Sequence, residues 1–179
     1  MKAILAVNQN NIIGDNNDLL WWIPEDMLWF KEKTLGKTVL MGRKTFESLK
    51  MPEGLPNRTN YVLTSDTNFK SPAGTVKTVR DWADVLWISS RLDIVIIGGA
   101  TLYNFGLQEN LFSEIYVTQV FQEQPATQGV SINTPLFQIA MGYNPNPDWE
   151  VIVDERGWQQ SVCGNVFRFV TLRKKVDHD

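Results

Sequence analysis

A carboxylate with apolar neighbours is the first candidate for chemistry in this sequence. Asp26 lies in DLLWWIPEDMLWF, residues 18–30, and Pro24 just before it is typical of the first turn of a helix. On such a helix Phe30 follows Asp26 by four residues and Met27 is adjacent, so the carboxylate shares a face with apolar surface. Partial desolvation raises a carboxyl pKa and suits the group to pairing with a cationic or amidine-like heterocycle. The alternative is a purely structural role, because the helix dipole favours any carboxylate in the first turn.

Two strand-to-helix turns that contain glycine are the next candidates. In IIGGATLY, residues 96–103, an apolar strand meets two glycines, and in VLMGRKTFESL, residues 39–49, Gly42 precedes Arg43 and Lys44. Glycine lets a ligand approach the backbone closely, and the free N–H groups of a helix start suit a phosphate. Basic residues oppose the dipole at that end, so their position makes sense if an anion binds there. The alternatives are a tight turn and a solvated pair of charges.

Hydroxyl and guanidinium groups extend this set. Thr64 and Ser65 in YVLTSD supply hydroxyls at the end of a third strand, and Arg58 closes the turn LPNR. The carboxyl ends of parallel strands meet at one edge of a sheet, so the glycine turns and the hydroxyl pair together predict a site for a nucleotide with several phosphates. Arg58 by itself could be an ordinary surface arginine.

The composition excludes several classes of site. The 179 residues carry 17 basic and 20 acidic side chains, and this net charge of -3 argues against a nucleic-acid partner. Cys163, the single cysteine, cannot form an internal disulfide and is expected to be buried; cysteine-based zinc sites are excluded. His178, the single histidine, lies next to the end of the chain, so histidine triads and multi-histidine metal sites are excluded too. We expect no metal.

The first residues do not predict a signal peptide or a membrane anchor. In MKAILAV the apolar run is shorter than the roughly 7 to 15 residues of a secretory signal, so we interpret it as a first strand. No segment approaches the roughly 20 apolar residues of a membrane span. The expected location is the cytoplasm.

Short β-branched runs and helical patterns alternate along the first two thirds of the chain, which favours parallel strands with helical crossovers. Strands are predicted at residues 2–7, 38–42, 59–64, 75–79, 93–99, 114–120, 149–155 and 166–172, and helices at 24–35, 43–49, 80–89 and 100–106. No helical pattern separates the last two strands, which are therefore expected to form a long antiparallel hairpin. The predicted fold class is α/β, with a mixed, mostly parallel sheet of eight strands flanked by about four helices.

No repeat or linker divides the chain, so one domain over residues 1–179 is expected. Residues 122–148, rich in Gln, Asn, Pro and Gly, are predicted to be a long irregular loop, a kind of segment that is often functional. Residues 174–179 are predicted to be a flexible tail.

Taken in order, these motifs resemble dihydrofolate reductase. AVNQNNIIGDNNDLLW is similar to the family's first strand and active-site loop, and WIPEDMLWFKEKT to the helix that carries its pterin-binding acid. VLMGRKTFESL, LPNR, YVLTS, VIIGGATLY and IYVTQV follow in family order. The resemblance implies the dihydrofolate-reductase fold, NADPH across the strand ends, and hydride transfer to C6 of 7,8-dihydrofolate with protonation of N5. It also implies a role in one-carbon metabolism and thymidylate synthesis, and binding of antifolate-type inhibitors.

The resemblance assigns roles to individual positions. Asp26 would hold the 2-amino and N3 edge of the pterin with support from Thr118, Trp21 would position an ordered water, and Arg58 would pair with the α-carboxylate of the glutamyl tail. The implied substrate-binding residues are Ile4, Ala6, Asp26, Met27, Phe30, Leu55, Arg58, Ile97 and Thr118. The implied cofactor-binding residues are Ala6, Ile13, Gly14, Leu19, Gly42, Arg43, Lys44, Thr45, Thr64, Ser65, Ile97, Gly98, Gly99, Ala100, Thr101, Leu102 and Tyr103.

Several positions depart from the family pattern. Leu20 replaces a proline before Trp21, Asn57 replaces a glycine in LPNR, and Thr101 replaces an arginine that often stacks on the adenine and helps to bind the 2′-phosphate. Arg43 with Lys44 still favours the phosphorylated cofactor. A monomeric enzyme is expected. Two alternatives stay open: a pyrimidine reductase of riboflavin synthesis with the same fold, and a non-catalytic nucleotide-binding or structural protein.

Overall fold

The fold is built around a mixed β-sheet. The computed structural model describes residues 1–14, 21–143 and 148–176. The strands are β1 (Lys2–Val7), β2 (Ile12–Gly14), β3 (Thr38–Gly42), β4 (Thr59–Leu63), β5 (Lys77–Val79), β6 (Ile94–Gly98), β7 (Glu114–Phe121), β8 (Val130–Ser131), β9 (Trp149–Val153), β10 (Gln159–Gln160) and β11 (Val166–Lys174). The strand order of the mixed sheet is β10-β11-β7-β1-β6-β3-β4-β5, with β9 also paired to β11, while β2 and β8 form a separate two-stranded sheet. The helices are α1 (Pro24–Thr34), α2 (Arg43–Leu49), α3 (Trp82–Ser89), α4 (Ala100–Gln108) and α5 (Leu136–Met141).

The main sheet is eight strands wide, as the sequence predicts. Strands β1, β3, β4, β5, β6 and β7 pair in parallel, whereas β11 runs antiparallel to β7. Strands β10 and β9 pair with successive parts of β11, opposite Val166 and Phe167 and then opposite residues 170–174, so they share one position at the edge. The predicted single α/β domain with an antiparallel C-terminal pair is confirmed.

Two of the predicted helices begin at strong local signals. Pro24 stands at the start of α1, and the Asp81 side chain accepts a hydrogen bond from the Asp84 N–H at the start of α3. By contrast, the C-cap of α2 is Lys50, which adopts a left-handed φ of 53° although glycine is the usual residue in that conformation. None of the helices in the described ranges has the length and apolar character needed to cross a lipid bilayer.

Three expectations are wrong. Residues 122–148 are not uniformly irregular, since they contain β8, paired to β2, and α5, four of whose six residues are buried. The predicted tail begins too early, because Lys174 ends β11 and pairs with Trp149; residues 177–179 lie outside the described ranges. Cys163 is exposed rather than buried, in a turn where the Gly164 N–H donates to the Ser161 carbonyl.

Apolar side chains cover both faces of the sheet. Trp29 of α1 is buried and stacks on Phe169 of β11, with ring centroids 4.5 Å apart. Burying a large apolar side chain contributes roughly 1.5 to 3 kcal/mol, so such contacts hold α1 firmly on the sheet. This fixes the helix that carries Asp26.

Side-chain amides fasten the segment after β1 to the segment after β7. In this amide cluster, defined as Asn8, Gln9, Asn11, Gln122 and Gln138, Asn8 Nδ2 donates to Gln122 Oε1 over 3.1 Å and Asn11 Nδ2 to Gln138 Oε1 over 2.7 Å. Gln9 Nε2 donates to the Gln122 carbonyl and Gln138 Nε2 to the Gln9 carbonyl, each over 2.6 Å. The cluster therefore sets where β2 begins.

Candidate active site

Four strand ends lie side by side at the carboxyl edge of the sheet. Gly98 of β6 is opposite Met41 of β3, Gly42 of β3 is opposite Leu63 of β4, and Leu63 is opposite Val79 of β5. Helices α2 and α4 begin at this edge, directly after β3 and β6. The sheet thus brings together the turns that the sequence singles out separately.

The two glycine turns are in contact. An added Cβ on Gly98 would lie 3.2 Å from Thr45 Oγ1 and one on Gly99 3.4 Å from the same atom. An added Cβ on Gly42 would lie 3.5 Å from Leu102 Cδ1. Gly98 has φ +137°, a conformation that favours glycine. These glycines leave room for the backbone of one turn to approach the other.

Neither glycine turn caps its helix with a side chain. The N-cap residues are Gly42 for α2 and Gly99 for α4, and neither start has a side-chain hydrogen bond. The first N–H groups of a helix lack partners within it and lie at the positive end of its dipole. The start of α4 is therefore suited to an anion such as a pyrophosphate.

Cations surround the far end of this edge. Arg43 Nη1 lies 3.9 Å from Glu47 Oε1 and 3.8 Å from Asp66 Oδ2. Lys44 is exposed and makes no ion pair with any residue of the described ranges. Arg80, which follows β5, donates from Nη1 to the Asp66 carbonyl.

The predicted hydroxyl pair lies between these cations. The Thr64 N–H donates to the Val79 carbonyl over 3.0 Å, and Thr64 Oγ1 accepts from the Asp66 N–H over 3.1 Å. Ser65 is exposed. Its hydroxyl is accessible to a ligand at the same edge.

Asp26 meets Thr118 beneath α1. Thr118 Oγ1 donates to Asp26 Oδ1 over 2.5 Å, and Thr118 is fully buried on β7, opposite Ala6 of β1. Burial raises the pKa of Asp26, and the hydrogen bond from Thr118 opposes that rise without cancelling it. Asp26 is half-buried as a whole residue, while its carboxyl group is largely desolvated.

Tyr103 joins the carboxylate pocket to the glycine turns. Its hydroxyl donates over 2.6 Å to the carbonyl of Ile4, one of the two residues of β1 that are predicted to bind the substrate. Burial raises the pKa of Tyr103, and the charge of Asp26 adds to that rise. Asp26 and Tyr103 are therefore electrostatically linked, although they belong to different predicted subsites.

Apolar side chains form the walls around Asp26. Trp21 and Ile4 pack with Ala6, Phe30 and Ile97 in one cluster. Phe30 and Ile97 also contact the cluster that contains Leu55. Met27 differs from the other predicted wall residues, because it is 57% exposed and packs in none of the buried clusters.

Two nitrogen donors near the pocket are buried but make no hydrogen bond within the described protein. Trp21 Nε1 and Arg58 Nε are buried without a hydrogen-bond partner among the described residues. The Arg58 guanidinium lies 5.9 Å from the centre of the Phe30 ring, and burial lowers its pKa. Asn57 has φ +58°, so the asparagine adopts the left-handed backbone conformation that a glycine would take in this turn. Unpaired buried donors are costly in a folded protein, which favours a ligand as their partner.

The nicotinamide end of the predicted cofactor site is described only in part. Ile13 is half-buried against the largest core cluster, and Gly14 pairs with Val130. Leu19, predicted to contact the cofactor, and Leu20 lie outside the described residues.

The structure adds two residues that the sequence patterns do not reveal as part of the site, Asp66 and Arg80. Arg80 follows the end of β5 as Arg43 follows the end of β3, and a basic residue directly after a strand was the signal available for it. Asp66 shows no such signal, because its position depends on the turn after β4. Within the described ranges, no group of three or more His, Cys, Asp or Glu side chains could hold a metal ion.

An α/β sheet whose strands end in glycine turns and uncapped helix starts, beside a half-buried carboxylate, is typical of enzymes that use a nucleotide cofactor. The protein-family model described as Dihydrofolate reductase matches residues 1–148 of this chain. The dihydrofolate reductase of Bacillus subtilis (strain 168) is 32% identical over 180 residues, which cover 98% of this chain and 95% of that protein. That of Haemophilus influenzae is 36% identical over 132 residues, which cover 68% of this chain and 72% of the relative.

A solved structure shows the same fold. Dihydrofolate reductase from Enterococcus faecalis, complexed with NADP(H) and RAB-propyl, superposes with a TM-score of 0.74 at 23% identity, covering 98% of this chain and 96% of that one. The chain belongs to the dihydrofolate reductase family, whose members are NADPH-dependent oxidoreductases that act on a CH–NH bond.

Proposed function

We propose that this protein reduces 7,8-dihydrofolate to 5,6,7,8-tetrahydrofolate with NADPH. The observation that carries the proposal is the Asp26–Thr118 pair, a carboxylate held in an apolar pocket beside two glycine turns. The protein's membership of the dihydrofolate reductase family supports the same reaction. Bound NADPH would supply a hydride for C6 of the pterin, and N5 would take its proton from solvent.

Asp26 orients the substrate. Its two oxygens accept hydrogen bonds from the 2-amino group and N3 of the pterin, while Thr118 fixes the carboxylate from the other side. Because this edge is far from N5, Asp26 does not deliver the proton itself. Its charge favours the protonated ring, which is the better hydride acceptor.

Trp21 and Arg58 bind the remaining polar groups. The unpartnered Trp21 Nε1 holds an ordered water near the substrate, and Arg58 pairs with the α-carboxylate of the glutamyl tail. Phe30, Leu55 and Ile97 line the pocket between them and exclude water from the ring. Met27 contributes from the rim, in keeping with its exposure.

The residues at the strand ends fit NADPH. The uncapped start of α4, together with Gly98 and Gly99, provides N–H groups and space for the pyrophosphate. Arg43 and Lys44 provide positive charge for the 2′-phosphate. The remaining proposed contacts come from Ala6, Ile13, Gly14, Leu19, Gly42, Thr45, Thr64, Ser65, Ile97, Ala100, Thr101, Leu102 and Tyr103.

We propose a cytoplasmic, monomeric enzyme of one domain over residues 1–179 that serves one-carbon metabolism, with antifolate-type inhibitors competing for Asp26. The net charge of -3 gives no reason to expect a nucleic-acid partner.

The test is an absorbance assay with purified protein. Mixed with NADPH and dihydrofolate, the protein should oxidise the cofactor with one tetrahydrofolate formed for each NADPH lost. Replacing dihydrofolate by a ribosylamino-pyrimidine, whose sugar can accept the hydride and become a ribityl group, should give no oxidation. Turnover of that substrate alone would assign the protein to riboflavin synthesis. Intact NADPH binding without turnover of either substrate would favour a binding protein.

A further inference from the structure

The turn after β4 places an acidic residue among the cations of the strand-end site. Asp66 Oδ2 lies 3.8 Å from Arg43 Nη1, and the Asp66 carbonyl accepts a hydrogen bond from Arg80 Nη1. Since β4 lies between β3 and β5, the two arginines reach this turn from the strand ends on either side. A carboxylate therefore lies beside Arg43, one of the two cations that the proposed function assigns to the 2′-phosphate.

Arg43 is weakly held in this arrangement. Its distances to Asp66 and Glu47 are 3.8 and 3.9 Å, both beyond normal hydrogen-bond range, and all three side chains are at least 41% exposed. Exposed ion pairs of this kind are weak and screened by salt. A phosphate dianion with closer contacts would readily draw the Arg43 guanidinium away from both carboxylates.

Asp66, by contrast, is fixed in place. Its Oδ1 accepts from the Asn68 N–H over 2.9 Å, and its own N–H donates to Thr64 Oγ1 over 3.1 Å. Its carbonyl is bound by Arg80 and by the Phe69 N–H. The guanidinium can turn away, but the carboxylate stays.

We infer that Asp66 is a specificity-determining residue that competes with the cofactor's 2′-phosphate for Arg43 and so weakens the preference for NADPH over NADH. This inference rests on the proposed function. With NADPH bound, the fixed Asp66 carboxylate repels the 2′-phosphate. With NADH bound, the same carboxylate is an acceptor for the free 2′-hydroxyl. The uncharged Thr101 contributes no positive charge to offset the repulsion.

The test is the variant Asp66→Asn, which keeps an Oδ1 acceptor for the Asn68 N–H and so preserves the turn. The ratio of kcat/KM for NADPH to that for NADH should rise about three- to tenfold, the size of one partly exposed charge interaction. Calorimetry should show tighter binding of 2′,5′-ADP with 5′-AMP unchanged or weaker. The gain should shrink at high ionic strength.

Glu47→Gln is the matched control, because it removes the same charge from the other carboxylate near Arg43. Glu47 is exposed and contacts Arg43 from its own helix, so its variant should change the ratio by less than about twofold. An equal rise in both variants would mean that net charge alone acts, and would overturn the inference. If Asp66→Asn bound NADPH firmly but left the ratio of kcat/KM for NADPH to that for NADH unchanged, only the inference about Asp66 would be overturned. If the wild-type protein bound neither NADPH nor 2′,5′-ADP, the proposed function would be overturned as well.

Discussion

The amide cluster and the active-site pocket are both rich in polar groups, but they use them differently. In the amide cluster the side chains of Asn8, Gln9, Asn11, Gln122 and Gln138 bond to one another or to nearby backbone. In the pocket, Trp21 Nε1 and Arg58 Nε are buried and bond to nothing in the described ranges. Satisfied buried groups join segments of the chain, whereas unsatisfied ones favour a ligand. Variants in one region should therefore alter stability, and variants in the other should alter function.

The largest effect is expected from Asp26→Asn. Turnover at pH 7 should fall by roughly 10² to 10⁴, the range usual for acid–base assistance, because the neutral amide cannot favour the protonated pterin. The loss should shrink as the pH is lowered and solvent protonates the substrate. Turnover measured from pH 5 to 9 tests this, and wild-type activity at pH 7 would contradict the assignment.

The same variant should be more stable than the wild type at neutral pH. Burial raises the folded-state pKa of Asp26 above its ordinary value of 3.8, so ionisation of this residue opposes folding once the pH exceeds that value. The amide does not ionise, and below about pH 3.8 the difference should vanish. Urea unfolding at pH 7 and at acidic pH measures both points.

In the amide cluster, Asn11→Ala should unfold the protein more easily by about 3 kcal/mol. The change strands the buried Phe137 N–H and the Gln138 amide, each worth roughly 1 to 3 kcal/mol, and places alanine at φ +57°. Affinity for NADPH at 15 °C should stay within about threefold. Asn11→Gly retains the backbone conformation and separates the two causes; a large loss of affinity with unchanged stability would break the comparison.

Arg58→Gln should raise the KM for dihydrofolate about 10- to 100-fold and leave kcat nearly unchanged, because a charged hydrogen bond contributes roughly 1.5 to 3 kcal/mol. A pterin substrate without the glutamyl tail should be turned over equally by both proteins. Arg58→Lys, which keeps the charge but loses the planar fork, should fall between them. Equal losses with both substrates would show that Arg58 acts on the fold instead.

A pair of tryptophan variants gives the smallest but most direct contrast. Trp21→Phe removes the Nε1 donor, which bonds to nothing in the described protein and is proposed to hold a water near the substrate. Because the variant loses that water, kcat/KM should fall about tenfold. Trp29→Phe weakens the stack on Phe169, so the free energy of unfolding should fall by about 1 kcal/mol with activity per folded molecule unchanged. The reverse pattern would contradict the division between binding and packing.

Local signals were enough to predict the parallel part of the fold. Gly42 and the following apolar spacing define α2, which runs from Arg43 to Leu49 as predicted. The β8 strand and α5 were missed because they are two and six residues long and are held by partners over 100 positions away, such as Asn11 with Gln138. Periodicity cannot detect elements of this length.

The site was predicted in its parts but not in its contacts. The approach of Thr118 to Asp26 spans 92 positions, and only the resemblance to a known family connected them beforehand. Arg80 and Asp66 were missed because their meeting depends on the order β3-β4-β5, which local patterns do not determine. The exposure of Met27 was missed for a simpler reason: a first-turn residue beside the pocket face can point outward.

The edge of the main sheet beside β11, which β9 and β10 share, also affects how the molecule behaves in a crowded solution. Strands β9 and β10 are five and two residues long, separated by a turn in which Gly157 has φ +62°, and the opposite edge is the three-residue β5. Long, flat, exposed edges act as templates for pairing with other chains, and short interrupted ones do not. Although Val151 and Val153 are exposed on β9, neither edge of the main sheet, as far as the structure describes it, offers an incoming strand more than five residues to extend, and such short edges disfavour fibrillar self-association.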